Sequence, residues 1–421
     1  MHPVGFGISD VGQERLINED SFYIDDERQL YVVADGMGGH ASGEVASATA
    51  VEAVSGEVGR RHQQLSKLRE SLIDSEELSS IVREIVDFAC AEIYEKARTN
   101  QEHAGMGCTL TMLLVVAHKA VMAHVGDTRL YLLRKGKADQ ISSDHTMAQE
   151  LCQAGLLEPD EVADHQFAHI LSRALGPLPS VKVDTLVMDV LPGDRFLLCS
   201  DGLTAYIEDD AWLAQQLAGD DPEVVPEELV SYANTAGGHD NITALLIELR
   251  PDDPEIEIGD EMSVDLQHQF DALGSVFLFE GLSLALLTRL LNHCELNEYV
   301  EGDRVIREGD PCEQLMVVVD GRFVVSHQGE ADGELEPGDH AGATTMLSPR
   351  RARATLTAKE YSRLLILKRK PFWKLIRRRP WLGVSLLERL GRRLSLDLDR
   401  SIAKLEEDDP GTNVVKPRER L

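Results

Sequence analysis

At 421 residues the chain is too long for one compact core, and its 43% hydrophobic content is ample for two or three. A formal net charge of −31 repels phosphates, which excludes general nucleic-acid binding and docking on anionic membranes. The six cysteines (Cys90, Cys108, Cys152, Cys199, Cys294 and Cys312) have no paired spacing, and there is neither a basic-then-apolar leader nor an apolar run of about 20 residues. The expectation is a cytoplasmic protein in a reducing compartment.

Residues 1 to 250 alternate between strand and helix patterns. LYVVADG, TLTMLLVVAH, AVMAHVGD, RLYLLRKGK, VDTLVMDVL, DRFLLCSDG and NITALLIEL are short apolar or alternating runs bounded by turn residues, hence strands. GEVASATAVEAVSGEV reads as a helix of small residues that packs closely on a sheet. SSIVREIVDFACAEIYEKA has a helical apolar period through Ile81, Ile85, Phe88 and Ile93. Residues 251–262 are acidic, carry prolines and form a linker. Two short helices are expected between 265 and 293. Gly-Asp turns at 301, 308, 320 and 337 then mark a small β-barrel or roll, and a basic helical stretch closes the chain. Between Arg350 and Lys404 there are 17 Lys and Arg against 4 Asp and Glu, the reverse of the balance elsewhere.

Four aspartates stand in glycine-bearing turns at the ends of apolar runs: Asp35 in VVADGMGG, Asp127 in AHVGDTRLY, Asp201 in FLLCSDGLT and Asp240 in GGHDNIT. Hard divalent cations take oxygen ligands, one or two carboxylates plus waters per ion, so four such strand ends converging would make a Mg²⁺ or Mn²⁺ site. A single Asp-Gly turn carries no such meaning.

Eight motifs in order then carry a resemblance: Gly12, Arg15, Asn18, Glu19 and Asp20; DGMGGH from Asp35 with Glu44; GCTL at Gly107; VGDTRLY at Val125; SDHT at Ser143; LSRALG at Leu171; GDRFLLCSDGL at Gly193; and GGHDNITALLI at Gly237. Together they resemble the metal-dependent PPM (PP2C-like) protein phosphatases of bacterial type. The resemblance implies an α+β protein with a PPM-type α/β/β/α sandwich over 1–250. It implies that Asp35 bridges two Mn²⁺ or Mg²⁺ ions, that the Gly36 carbonyl ligates one, and that Asp201 and Asp240 complete the other. Glu19 and Asp20 would hold metal-bound waters, and Asp127 with Asp201 a weaker third ion. A pair of such ions lowers the pKa of a shared hydroxide for attack on phosphorus. Arg15 is the expected clamp on the substrate phosphate, the alternative being a surface ion pair with Glu19 or Asp20. Met37 stands where eukaryotic members carry a histidine, which leaves the general acid unassigned; His40 and His239 are near in sequence only. His145, His165 and His169 fall in a segment resembling the family's variable flap and are expected to be solvated or capping.

Residues 263–395 resemble a CAP-like cyclic-nucleotide-binding domain, which implies a smaller β-roll with flanking helices, followed by a tail at 396–421. The family's cassette places a Glu on the ribose and an Arg on the cyclic phosphate. Here AGATTMLSPRRARAT puts Ala343 and Ala352 at those positions, so the cassette reads as degenerate. The expected function is therefore a serine/threonine phosphoprotein phosphatase with an appended regulatory domain. Its partners are phosphorylated proteins made by a serine/threonine kinase, and its C-terminal domain serves self-association or docking. The alternatives are a catalytically silent phosphoprotein scaffold, disfavoured by the complete set Asp35, Asp201 and Asp240, or direct control by cAMP or cGMP.

Overall fold

A computed structural model describes residues 1–38, 42–69, 74–252 and 261–408. Most of the acidic linker expected at 251–262, His40 and the last residues of the expected tail lie outside the described residues. Contacts divide the chain into two units, Met1–Phe270 with Ser283–Asn292, and Asp271–Leu282 with His293–Leu421.

The first unit is built on two antiparallel sheets. One runs, in spatial order, Asp20–Asp25, Leu30–Met37, Leu110–Val116, Lys119–Val125, Asp184–Asp189, with Gly107–Cys108 added beside Leu30–Met37. The other runs His2–Asp10, Ile242–Arg250, Arg195–Cys199, Arg129–Arg134, Lys137–Gln140. The run LYVVA is apolar at every position because both of its faces are covered. Leu30, Val32 and Ala34 face the helices Gly43–Arg60 and Ser75–Thr99, while Tyr31 and Val33 pack between the sheets with Leu113, Leu132, Phe196, Leu198 and Ile247. Each such fully buried side chain contributes about 1.5–3 kcal/mol. In the helix Gly43–Arg60, Ala46, Ala50 and Val54 recur at a spacing of four and are fully buried, as the small-residue pattern predicts. The far face of the second sheet is covered by Asp210–Leu217 and Val225–Ala236 through Leu213, Leu217, Leu229 and Ala233. The layers are helix, sheet, sheet, helix.

A strand that the sequence did not announce opens the unit. His2–Asp10 pairs with Ile242–Arg250 along its whole length, although Gly5 and Gly7 break the apolar alternation. A Cβ on Gly5 would lie 2.6 Å from the Tyr31 ring, and one on Gly7 3.0 Å from the Phe22 ring, so these glycines make room for aromatic side chains. The helix Leu284–Leu291 lies within the range assigned from sequence to the second domain, yet it belongs to the first unit. Arg289 donates to the Thr185 carbonyl at 2.7 Å and Asn292 to the Val187 carbonyl at 2.8 Å.

The second unit holds two four-stranded antiparallel sheets around Met316, Val318, Phe323, Leu356, Leu364 and Ile366. Its turns share one closure. Asp303, Asp310 and Asp339 accept the backbone N–H three residues earlier, from Val300, Arg307 and Glu336, and each follows a glycine with φ between +86° and +91°. The unit ends in Arg369–Arg378 and Pro380–Asp408. Residues 396–408, expected as tail, therefore continue the last helix.

Candidate functional site

The register of the first unit brings the singled-out carboxylates to one edge. Asp20 opens a strand and faces Asp35 near the end of its neighbour; Asp127 lies two residues past Lys119–Val125, Asp201 follows Arg195–Cys199, and Asp240 precedes Ile242–Arg250. A cavity of about 840 Å³ opens there, lined by Arg15, Glu19, Asp35, Asp127, Asp201 and Asp240 among others.

The carboxylates crowd one another. Asp35 and Asp201 lie within hydrogen-bonding reach of each other, and burial, reinforced by the charges of Asp20, Asp201 and Asp127, drives the Asp35 carboxyl well above the usual range. Burial raises Asp201 too, with Asp240 adding to it. Asp20 and Asp127 are each pushed up to about 7, first by burial and then by the charge of Asp201. Asp20 accepts from Ser200 Oγ at 2.7 Å and Thr243 Oγ1 at 2.6 Å through one oxygen; its other oxygen, like Asp201 Oδ1, is buried without a hydrogen-bond partner. Two carboxyls in contact require a proton or a cation between them, and carboxylate oxygens buried without a partner beside a polar cavity fit divalent cations. Among the described residues no group of three or more His, Cys, Asp or Glu side chains is drawn together closely enough to hold a metal ion by itself.

Backbone geometry supports the same reading. Gly36 donates to the Glu19 carbonyl at 3.1 Å, and a Cβ on it would lie 2.1 Å from the Gly43 carbonyl oxygen, so only glycine fits beside Asp35. Thr109 holds Asp35 in place from both sides: its hydroxyl accepts the Asp35 N–H at 3.0 Å, and its own N–H donates to the Asp35 carbonyl at 2.8 Å. Glu19 Oε1 accepts the Gly43 N–H at 3.1 Å.

Arg15 pairs with neither Glu19 nor Asp20. Its Nη2 donates to Asp240 Oδ2 at 2.7 Å while the guanidinium lines the cavity half-exposed. His239 is turned to an exposed contact with Glu14 at 2.7 Å. His169 lines the cavity and is exposed, but His145 corrects the expectation, because it is buried in a polar cluster with His124, Arg173 and Asp184. Burial and the neighbouring His145 lower the His124 pKa to about 3, so His124 is a neutral core residue.

Sequence reasoning also passed over Asn241. Its side chain accepts the Glu19 N–H at 2.8 Å and donates to the Val11 and Ile17 carbonyls at 3.0 Å each, tying the loop that bears Arg15 and Glu19 to the strand behind Asp240. Its place directly after a motif aspartate was the available signal.

Comparison with known proteins decides the family. The model of the family described as Protein phosphatase 2C matches residues 12–235, more than half of the chain. The chain belongs to that family. A second model, described as Cyclic nucleotide-binding domain, matches residues 296–379. The serine/threonine phosphatase stp of Listeria monocytogenes is 34% identical over 57% of this chain and 93% of its own length. The solved Mycobacterium tuberculosis serine/threonine phosphatase PstP/Ppp is 31% identical with a TM-score of 0.53, covering 60% of this chain and 100% of its own. The catalytic domain of PstP, solved in complex with two manganese ions, is 31% identical with a TM-score of 0.51, covering 59% of this chain and 99% of its own. The chain is a protein-serine/threonine phosphatase with a cyclic-nucleotide-binding-type domain appended, and the enzymes of its family depend on metal ions. Among the described residues no helix is long and apolar enough to cross a membrane.

Proposed function

We propose that the carboxylate cavity hydrolyses phosphoserine and phosphothreonine in proteins, products of a serine/threonine kinase, using two manganese or magnesium ions with a weaker third. The observation that carries this is the contact between Asp35 and Asp201 beside orphaned carboxylate oxygens, a concentration of carboxyls that a folded core tolerates only when protons or cations neutralise it. When bound, the ions supply a water ionised near neutral pH and positive charge at the phosphoryl oxygens. Asp35, the Gly36 carbonyl, Asp201 and Asp240 would hold the pair, and Asp127 with Asp201 the third.

The remaining steps belong to this chain's own groups. Glu19 and Asp20 orient water at the site, Asp20 being fixed by Ser200 and Thr243. Arg15 has an always-charged fork of donors at the cavity mouth. Its ion pair with Asp240 places it beside the carboxylates, where it would clamp the phosphoryl oxygens and hold the ester in line for attack. Hydrolysis of a phosphothreonine peptide by the purified chain with Mn²⁺, against an EDTA control, tests the reading. No turnover with either metal would favour the silent scaffold.

For the C-terminal unit we propose a degenerate nucleotide fold that serves self-association. Ala343 is buried, Ala352 packs on the core of the roll, and Arg350, Arg351 and Arg353 are exposed, so the positions of the two polar anchors are filled with apolar groups. The 343–347 turn is closed by Arg369 and Trp373, which donate to the Met346 carbonyl at 3.2 and 2.7 Å. Along Pro380–Asp408, Val384, Leu387, Leu394 and Leu398 are exposed at a spacing that, with Gly391, alternates three and four, the seam by which a helix pairs with a second copy of itself. Sedimentation of the full chain against Leu387→Glu/Leu394→Glu tests this; a wild-type monomer at micromolar concentration would refute it.

A further inference from the structure

One buried imidazole joins the turn that carries Asp127 to the segment resembling a flap. His145 is 3% exposed. Its Nδ1 accepts the Gly126 N–H at 3.1 Å, and its own backbone N–H donates to the Gly126 carbonyl at 2.7 Å. On its other side the His145 carbonyl accepts the Ser172 N–H at 2.8 Å, and Thr146 bridges to Leu171. The residue is thus bonded both to Gly126, immediately before Asp127, and to a stretch whose Leu171, Ser172 and Arg173 line the cavity opposite the carboxylates.

A backbone N–H can only donate, so Nδ1 accepts from Gly126. Nε2 faces Arg173 Nη1 at 2.9 Å and Asp184 Oδ2 at 3.6 Å, and the same Arg173 nitrogen donates to Asp184 Oδ1 at 3.2 Å. Arg173 donates to Asp184, and the His145 ring sits against that ion pair through Arg173. Gly126 has φ +109°, and a Cβ there would lie 2.5 Å from Thr109. Gly126 therefore has no side chain to fix its place and takes it from His145, while Thr128 Oγ1 anchors the far side of the turn on Thr111 Oγ1 at 2.7 Å. Behind the ring, His124 lies with its centroid 4.7 Å away and its Nε2 donates to the Ser143 carbonyl at 3.2 Å, which anchors the start of the segment in the core.

We propose that His145 is a positioning residue for the phosphatase reaction: it sets the Asp127 turn against the Leu171–Arg173 wall and thereby shapes the part of the cavity that receives the phosphopeptide. The inference rests on the phosphatase reading above. A small aryl phosphate meets only Asp35, Asp201 and Asp240 with Arg15, whereas a peptide also lies on the wall beside Asp127, so loss of the staple separates the two substrates.

The test compares His145→Asn, which keeps an acceptor at the place of Nδ1, with His145→Gln, whose amide reaches the place of Nε2 and leaves the Gly126 N–H without its partner. With the full chain and Mn²⁺, His145→Gln is expected to raise KM for a phosphothreonine peptide about 10-fold while lowering kcat for p-nitrophenyl phosphate less than about 2-fold. His145→Asn is expected to stay within about 3-fold of wild type on both substrates. Hydrogen exchange at the Gly126 amide should quicken in the Gln variant alone. Equal behaviour of the two variants, or a parallel loss on both substrates that tracks thermal stability, would reduce His145 to core packing and overturn the proposal. A wild-type protein inactive on both substrates counts instead against the phosphatase reading, and the exchange comparison then decides whether the staple exists.

Discussion

The two units treat the polar anchors of their folds in opposite ways. In the first, Asp20 and Asp127 are buried and Asp35 and Asp201 half-buried beside them, their carboxyls raised by desolvation and mutual repulsion, and two of their oxygens have no partner. In the second, on the degenerate reading proposed above, Ala343 and Ala352 stand at the anchor positions, and the 343–347 turn is sealed by Arg369 and Trp373. A site that is used keeps polar groups whose cost is offset only when a ligand arrives; a site out of use is filled until nothing is left unpaired. Fold resemblance alone draws no such distinction.

The largest effect expected from breaking this contrast is at the carboxylates. Asp35→Asn or Asp201→Asn should lower kcat with Mn²⁺ by at least about 1,000-fold, because several kcal/mol of charge stabilisation are lost. In EDTA the same variants should melt at or above the wild-type temperature, since each removes one of the charges that repel at the site. Wild-type turnover in either variant, or a cooperative loss of the fold, contradicts these roles.

Nucleotide binding sharpens the other side. Calorimetry of the full chain with cAMP and cGMP should show no micromolar binding, each missing contact to a charged group being worth about 1.5–3 kcal/mol. Micromolar heat from either nucleotide breaks the degenerate reading.

Arg15→Ala should raise KM for a phosphopeptide about 10-fold with a smaller change in kcat, as expected when a ground-state clamp is removed and the metal ligands stay. Unchanged steady-state kinetics would confine Arg15 to its ion pair with Asp240.

The smallest effect is on pH-dependent stability. Asp20 and Asp127 have folded pKa values of about 7, above the ordinary 3.8, so without metal the folded state holds protons that the unfolded chain has released. Their contribution is present below about pH 4 and is lost as pH rises through 7. The melting temperature in EDTA should therefore fall by a few degrees between pH 5 and 8, while added Mn²⁺ stabilises more at pH 8 than at pH 5, since cation binding displaces those protons. A flat profile in EDTA would show that the crowding is relieved in some other way.

What was legible in the sequence follows from where the constraint lies. Asp35, Asp127, Asp201 and Asp240 could be read because each sits in a glycine-bearing turn that ends an apolar run, a local pattern. The inner strands were legible because strands buried on both faces are apolar throughout, whereas their assembly into a sandwich was implied only by the resemblance the eight ordered motifs carry. His2–Asp10 was not, because Gly5 and Gly7 serve Tyr31 and Phe22, which are distant in sequence. His145 was read as solvated for the same reason: its partners Gly126, Arg173 and Asp184 lie 19 to 39 residues away, and two of its bonds are made by backbone atoms that carry no residue signature. The Arg15–Asp240 pair was not legible, because the two are 225 residues apart and meet only through the pairing of His2–Asp10 with Ile242–Arg250.

The central claim is that the crowded carboxylates are a metal-dependent phosphatase centre. Its most direct test is release of phosphate from a phosphothreonine peptide by the full chain after EDTA treatment and after titration back with Mn²⁺ or Mg²⁺. The account predicts no turnover in EDTA and recovery with added metal, lost again in Asp35→Asn. Turnover that survives EDTA, or none at any metal concentration, would contradict it.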